Sequence, residues 1–302
     1  MRKRTKVWLA IAAILIVVGL LMMAVIFQVN WWDMNKLSTV SYETNSYELS
    51  ENIDSIYVRS DRADVVFYRS ADENTYVVCH EESNCKHSVE VENGVLKVEL
   101  IGERGILDKI EIVADEPGIS IYLPEKAYKS AAISCATGDI KMQSSFSFTD
   151  VDINLTTGDV ALSGLSAGEI TLSLTTGDVN LSDISCEGDM DMSVTSGETT
   201  LRRVKCANFT SLGNTGDVEM VSVLADKTMQ VKRTSGDIQL EDCDGADIYL
   251  QTTTGDVEGS LRSAKIFNAQ TTSGDIDLPR SSFGGSCEIK STTGDIEIEI
   301  HN

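Results

Sequence analysis

Two sets of residues in this chain have types and spacings that could do chemistry. The first is a column of acids. Asp139, Asp159, Asp178, Glu198, Asp217, Asp237, Asp256, Asp275 and Asp295 recur every 19 or 20 residues. Ca²⁺ takes several oxygen ligands, and a stack of carboxylates with neighbouring hydroxyls could supply them. Asp159, Asp178, Asp217, Asp237, Asp256, Asp275 and Asp295 are the candidates. Against this, calcium-binding nonapeptide rolls carry a denser glycine–aspartate pattern. Asp also accepts backbone N–H bonds in turns, so turn structure is the favoured reading. Stacked carboxylates about 5 Å apart repel by roughly 1 kcal/mol per pair even in water. Turn N–H groups, hydroxyls or bound cations must offset that.

The second set is Cys79-His80 and Cys85-Lys86-His87. Two Cys and two His this close could hold Zn²⁺, but the spacing is not that of a known finger. A disulfide between Cys79 and Cys85 across a hairpin, or free thiols, are the other readings; an oxidising location favours the disulfide. Cys186 and Cys206 share a column in successive repeats, where Ala and Gly also occur, and read as small buried side chains, with a disulfide between them as the alternative. Seven cysteines leave at least one unpaired.

Catalysis finds little support. There are three His, and none lies between His87 and His301. Trp is absent after Trp32, so there are no indole platforms for sugar rings. No Ser/His/Asp motif, phosphate loop or metalloprotease motif is present. The expectation is a non-enzyme with no cofactor.

The element that positions the acids is the repeat itself. Each acid follows a glycine: Gly138, Gly158, Gly177, Gly197, Gly216, Gly236, Gly255, Gly274 or Gly294. Each glycine follows Thr or Ser. Five residues before it stand Ile133, Ile153, Leu172, Met192, Ser211, Val231, Leu250, Ala269 and Ile289. Two after it, every residue is β-branched, from Ile140 and Val160 to Ile296. Four after it stand mostly Leu, Met and Ile. Alternation on both sides of a turn means strand, turn, strand. A fixed period near 20 is the signature of a solenoid, with equivalents stacked about 4.8 Å apart. A second small column, nine after the glycine, holds Ala167, Cys186, Cys206, Ala225, Gly245 and Ala264 and predicts a tight inward corner. Arg233 falls where earlier coils have Leu155 or Leu174, and Thr252, Thr271 and Ser291 follow it. That column is expected to leave the core.

The remaining chain gives the frame. Residues 1–6 are basic, and Val7 to Phe27 is almost wholly apolar and uncharged. Twenty-one such residues rise about 31 Å as a helix, enough to span a membrane. Trp8 and Trp31-Trp32 suit the two interfaces. No small-x-small cleavage site follows, so segment 7–29 reads as an uncleaved signal anchor. The basic stub then stays cytoplasmic and the rest lies outside. All 47 acidic residues fall after residue 30, against 21 basic ones, a net of −26 there. Such a body repels nucleic acid. A connector covers 30–50, a non-repetitive β cap 51–130, and the repeats 131–302. Within the cap, Ser60 to Val65 reads as a worn first coil with Ala63 at the glycine position, and Asn93-Gly94 marks a hairpin. The last strand, Asp295 to Ile300, shows no evident cap.

The T-[TS]-G-D repeats, the N-terminal anchor and the strand ending in Leu123-Pro124 resemble the bacterial “putative adhesin” family of domains of unknown function, which includes the LiaG-like envelope proteins. The resemblance covers about residues 45–302. It implies a membrane-anchored β-solenoid with a role in adhesion or stress response at the cell envelope, and supplies no catalytic residues. The expected protein is therefore all-β: a single-pass, extracytoplasmic, single-stranded parallel β-solenoid of nine to ten coils with an N-terminal cap. It would act as a scaffold or interaction surface for an envelope protein or surface ligand. The alternatives are a stress sensor working through a membrane partner and, more remotely, a polysaccharide-active enzyme.

Overall fold

The computed structural model describes residues 12, 15–22, 25, 41–101 and 117–301. Most of the expected anchor, 7–29, lies outside them. Residues 12, 15–22 and 25 are helical, with exposed apolar side chains such as Leu15, Leu20 and Met22. No helix among the described residues is long and apolar enough to cross a membrane.

The repeats fold as the alternation requires. Each Thr/Ser-Gly-Asp turn joins two strands, and each strand pairs in parallel with its equivalent one coil away. Ile153 meets Leu172, and Leu155 meets Leu174. Beyond the turn, Val160 meets Val179 and Leu162 meets Leu181. The two sets of apolar columns face each other inside the coil, and nearly all their members are buried. Each buried Leu, Ile or Val contributes roughly 1.5–3 kcal/mol. The small column does form the tight corner: Ala167 pairs with Cys186, Cys206 with Ala225, and all four are buried. A further corner escaped the sequence pattern. Asp183, Arg203, Ser222 and Asp242, six residues after their glycines, adopt φ of 55–56°.

The glycines are required twice over. Gly177 has φ 136°, in the region side chains resist. A Cβ there would also lie 1.9 Å from the Gly158 carbonyl oxygen of the neighbouring coil. The turns stack too closely for any side chain.

The cap is built on the worn coil. β1 (Tyr42–Leu49), β2 (Ser55–Arg62), β3 (Asp64–Arg69), β4 (Thr75–Glu82), β5 (Lys86–Glu92), β6 (Val95–Ile101) and β7 (Gly118–Leu123) compose it. β2 and β3 act as the first coil. Val58 pairs with Ile133, Val65 with Ile140 and Phe67 with Met142. Ala63 takes the glycine place: a Cβ on Gly138 would meet the Ala63 oxygen at 2.2 Å. On the outer side of this coil, β6 pairs with β2 and β7 with β3. β5 joins β6 through the Asn93-Gly94 turn, whose φ values are 51° and 78°. β4 and β1 complete the layer antiparallel to β7 and to each other.

Two expectations are corrected. The column through Arg233 does not leave the core. Arg233, Thr252 and Ser291 are all buried. Arg233 donates to Ser211 O, Lys232 O, Ser211 Oγ and Thr199 Oγ1. It fills the space beside Gly213, where a Cβ would meet its guanidinium at 3.1 Å. Burial without a carboxylate partner pushes its pKa down to about 10. Thr252, Thr271 and Ser291 donate their hydroxyls to Gly236 O, Gly294 O and Gly255 O. Hydroxyls satisfied by turn carbonyls can occupy an interior that the pattern reserved for leucine.

The coils also do not stack in sequence order at the far end. The coil after Val257–Leu261 in space is the last one in sequence: Val257 pairs with Ile296, and Ile248 with Cys287. The Gly274 coil lies outside it, pairing Ile276 with Ile296 and Phe267 with Cys287. The final strand is thus enclosed, and the exposed rung is Lys265–Asp277. Apolar content explains the order. Cys287, Ile289, Ile296 and Ile298 fill the inner place, whereas the outer coil offers Ala269 and a two-residue strand, Ile276–Asp277, soon followed by Pro279. Ile266, Ile276 and Phe283 stay 51%, 46% and 70% exposed there.

The close turn packing is testable. Gly177→Ala should cost about 3 kcal/mol or more, through φ strain and collision with backbone. Gly118→Ala, whose Cβ would meet nothing nearer than 3.9 Å, should change stability by less than about 1 kcal/mol. Urea unfolding of both variants measures the difference.

Candidate functional site

The acidic column forms a ladder. Asp64 Oδ1 accepts the Asp139 N–H at 2.8 Å, Asp139 Oδ1 that of Asp159 at 3.0 Å, and Asp159 Oδ1 that of Asp178 at 2.8 Å. Asp178 Oδ1 accepts from Glu198 N at 2.8 Å. The series resumes from Asp217 to Asp237 and Asp256, then passes to Asp295 and last to Asp275, at 2.7–2.8 Å. Each carboxylate in these pairs is anchored to the backbone of the next coil. The ladder therefore answers the repulsion between stacked acids with turn N–H groups. It breaks at one place among the described residues: no bond joins Asp217 N to Glu198, whose extra methylene moves the carboxylate out of register. Burial works against the Asp139 carboxylate, but the Asp159 N–H and the Lys141 ammonium outweigh it and hold its pKa below the ordinary value. The Ca²⁺ candidates Asp159, Asp178, Asp217, Asp237, Asp256 and Asp295 thus each commit one oxygen to a backbone bond. Asp275 ends the ladder.

The cysteines are free thiols, all seven of them buried. The disulfide expected between Cys79 and Cys85 is not formed. The turn between β4 and β5 pairs Cys85 with Glu82, so its register never places it opposite Cys79. Burial pushes the thiols of Cys206 and Cys287 up to about 12 and those of Cys135 and Cys243 to about 11, leaving them protonated and unreactive at neutral pH.

Cys79 instead faces a buried polar cluster. Alternation along β4 puts Val77, Cys79 and Glu81 on one face. His87, at the start of β5, turns in above them. Its Nδ1 lies 2.9 Å from Glu81 Oε2, and its backbone N–H donates to the same oxygen at 2.7 Å. Its Nε2 lies 3.0 Å from Ser60 Oγ on β2. Asn45 of β1 donates to Glu81 Oε1 at 2.8 Å. Ligand atoms of Cys79, Glu81 and His87 all lie within 4.8 Å of one another. His80 points the other way, stacks on Tyr42 and meets Thr44 Oγ1 at 3.0 Å. Ser60, His87 and Glu81 have the spacing of a Ser–His–acid relay. All three are buried, with exposures of 5%, 4% and 1%.

A third feature lies on the outer face of the cap. A cleft of about 570 Å³ opens between β1, β4, β7 and the turn before β4, lined by Tyr47, Tyr76, Val78, Tyr122 and Ser70 among others. Tyr122 stacks on Tyr68 with centroids 5.0 Å apart. Tyr76 Oη donates to Asp72 Oδ2 at 2.8 Å, an acceptor that raises the phenol pKa and lowers that of Asp72.

This combination of turn ladder, coil and cap can be set beside known proteins. The profile of the Toastrack DUF4097 family matches residues 53–222 and 188–302. The chain belongs to the Toastrack family. Among solved structures, it is similar to a “putative lipid binding protein” from Parabacteroides distasonis ATCC 8503, at 14% identity and TM-score 0.55, covering 87% of this chain and 98% of that one. A “putative adhesin” from Bacteroides fragilis NCTC 9343 matches at 12% identity and TM-score 0.45, over 86% of this chain and 97% of that one. No curated protein matches the sequence. At these identities the likeness is one of fold.

The Toastrack scaffold thus brings together one pair that the sequence singled out, Cys79 and His87, and separates it from His80 and Cys85. Glu81, Ser60 and Asn45 were missed. The signal for Glu81 was present: in the alternating run Thr75-Tyr76-Val77-Val78-Cys79-His80-Glu81 it occupies an inward position, where an acid needs partners. Ser60 and Asn45 lie on other strands, and local patterns carry no sign of them.

Repairing the break in the Toastrack ladder is a direct test of its role. Glu198→Asp should add one carboxylate–N–H bond and stabilise the fold by about 0.5–1.5 kcal/mol in chemical denaturation. Downward-shifted carboxylates such as Asp139 contribute stability above the unfolded carboxylate range, and that contribution is lost as pH falls. An Asp139→Asn variant should accordingly lose less stability than the parent between neutral pH and pH about 3.

Proposed function

We propose that the protein is a membrane-anchored, extracytoplasmic Toastrack solenoid that works without catalysis, as an adhesin-like scaffold or interaction surface of the bacterial cell envelope. One observation carries the reading. The carboxylates that recur along the rod are tied by one oxygen each to the next coil, and the cysteine thiols are buried, whereas the cap presents an open cleft floored by tyrosines. Such a surface binds by apolar contact and ring stacking. The names of the similar structures, adhesin and lipid binding, describe contact of this kind. The anchor rests on the uncharged run from Val7 to Phe27 behind a basic stub. Nucleic acid is not a partner, since the net charge of −22 opposes it. β1 (Tyr42–Leu49) lies inside the segment 30–50 expected to be a connector, pairs with β4 and lines the cleft, so the cleft would face the rod end nearest the anchor.

Two measurements test this. After cell fractionation the protein should remain in carbonate-washed membranes, and a membrane-impermeant amine label on intact protoplasts should reach it; recovery in the cytosol would overturn the reading. Purified protein should co-sediment with isolated cell-wall material or lipid vesicles, and Tyr122→Ala should weaken that binding by about tenfold or more, as loss of a central aromatic does. Equal binding by the variant would remove the cleft from the proposal.

A further inference from the structure

Hydrogen bonds account for Glu81 and His87 in the cap cluster but not for the Cys79 sulfur beside them. Cys79, Glu81 and His87 supply one sulfur, one carboxylate oxygen and one imidazole nitrogen, all within 4.8 Å of each other and all buried. The sulfur is unengaged. No hydrogen bond among the described residues involves Cys79 Sγ, as is also true of Cys85 and Cys287, whereas Cys186, Cys206 and Cys243 each donate to carbonyl groups; of the three unengaged sulfurs, Cys79 alone has a carboxylate and an imidazole beside it.

We propose that Cys79, Glu81 and His87 form a zinc site that cross-links β4 to β5 in the covering layer of the cap. The donor set suits this ion. Thiolate and imidazole with one carboxylate are zinc ligands, and Ca²⁺ or Mg²⁺ would take oxygens alone. The charge also suits burial: a thiolate, a carboxylate and Zn²⁺ sum to zero, so the interior holds no net charge. Coordination expels the thiol proton of Cys79.

The surrounding groups are already those that orient metal ligands. With zinc on His87 Nδ1, the opposite Nε2–H donates to Ser60 Oγ, 3.0 Å away. Asn45 Nδ2 holds Glu81 Oε1 at 2.8 Å and the His87 backbone N–H holds Oε2 at 2.7 Å, so the ion would take the second lone pair of Oε2 and replace its contact with Nδ1. Metal-bound histidines and carboxylates are characteristically held by such outer partners. Asn45 also donates to Glu43 Oε1 at 2.9 Å, and Glu43 pairs with Lys86, so the part-exposed β1 side is the way in. Three protein ligands leave a fourth position for a water.

The placement gives the ion a purpose. Cys79 and Glu81 are on β4, His87 on β5, Asn45 on β1 and Ser60 on β2. β2 is one half of the first coil, whereas β1, β4 and β5 belong to the covering layer. The ion would lock β4 to β5 within that layer, and its histidine, held by Ser60 through Nε2, would reach the first coil. This zinc site is independent of whether the cleft binds an envelope ligand.

The experiment uses the full chain, stripped with chelator and titrated with Co²⁺ as a spectroscopic substitute. One equivalent should bind and give thiolate-to-cobalt charge-transfer absorption, which Zn²⁺ then displaces. Zn²⁺ should also raise the thermal midpoint. Cys79→Ser should abolish the absorption, whereas Cys287→Ser, another buried thiol, should leave it intact. His87→Gln should lower Zn²⁺ affinity by about 100-fold and Asn45→Ala by about tenfold, as loss of a ligand or its outer partner does. If Cys79→Ser does not fold, X-ray absorption on the zinc-loaded parent decides, with one sulfur and the rest nitrogen or oxygen expected. Absence of the cobalt band together with an unchanged midpoint in excess Zn²⁺, or a zinc shell without sulfur, would overturn the site.

Discussion

The structure depends on how closely one turn can lie on the next. At each repeat, a glycine carbonyl sits where the next glycine would carry its Cβ, about 2 Å away. That contact sets the coil spacing, which in turn brings the Asp carboxylate against the N–H of the following Asp. Glycine and aspartate are thus parts of one device. The first allows the approach, and the second satisfies a donor that the approach would leave without a strand partner. The apolar columns contribute most of the stabilisation, but they would pack equally well at a slightly different register. The turn admits one register.

The same constraint explains why the rod offers so little chemistry. Along the turn edge, carboxylates that look like a cation site are tied to backbone by one oxygen each. On the opposite corner, surface charges are tied to each other, as in the bidentate pair of Arg203 with Asp183 at 2.6 and 2.8 Å. The groups not taken up by coil-to-coil bonding lie at the ends, where coil stacking stops. The cap end carries the tyrosine cleft and the Cys79–Glu81–His87 cluster. The far end exposes Ile266 and Ile276 on a rung whose outer strand edge is unpaired among the described residues, and Phe283 in the segment that follows it.

Interior polar groups show what the pattern of apolar columns hides. Arg233, Thr252 and Ser291 occupy core positions because carbonyls or hydroxyls receive their protons, and Ser211 because its hydroxyl accepts from Arg233. A column is read from the sequence by hydrophobicity, but admission to a core depends on whether every donor is met. Arg233 meets this condition only because Gly213 leaves room one coil earlier, 20 residues away in sequence.

By itself, the sequence determined the local geometry. The period, the strand–turn–strand unit, the small corner, the worn first coil at Ala63 and the Asn93-Gly94 hairpin all follow from residue types within a few positions of each other, because turn angles and side-chain alternation are local properties. Tertiary structure alone decided the rest. It placed the Gly294 coil inside the Gly274 coil, since the choice rests on which coil has more apolar surface to bury. It parted Cys79 from Cys85 by the register of one turn. It assembled Asn45, Ser60, Cys79, Glu81 and His87 from four strands, a juxtaposition set by packing between layers, which no spacing along the chain encodes.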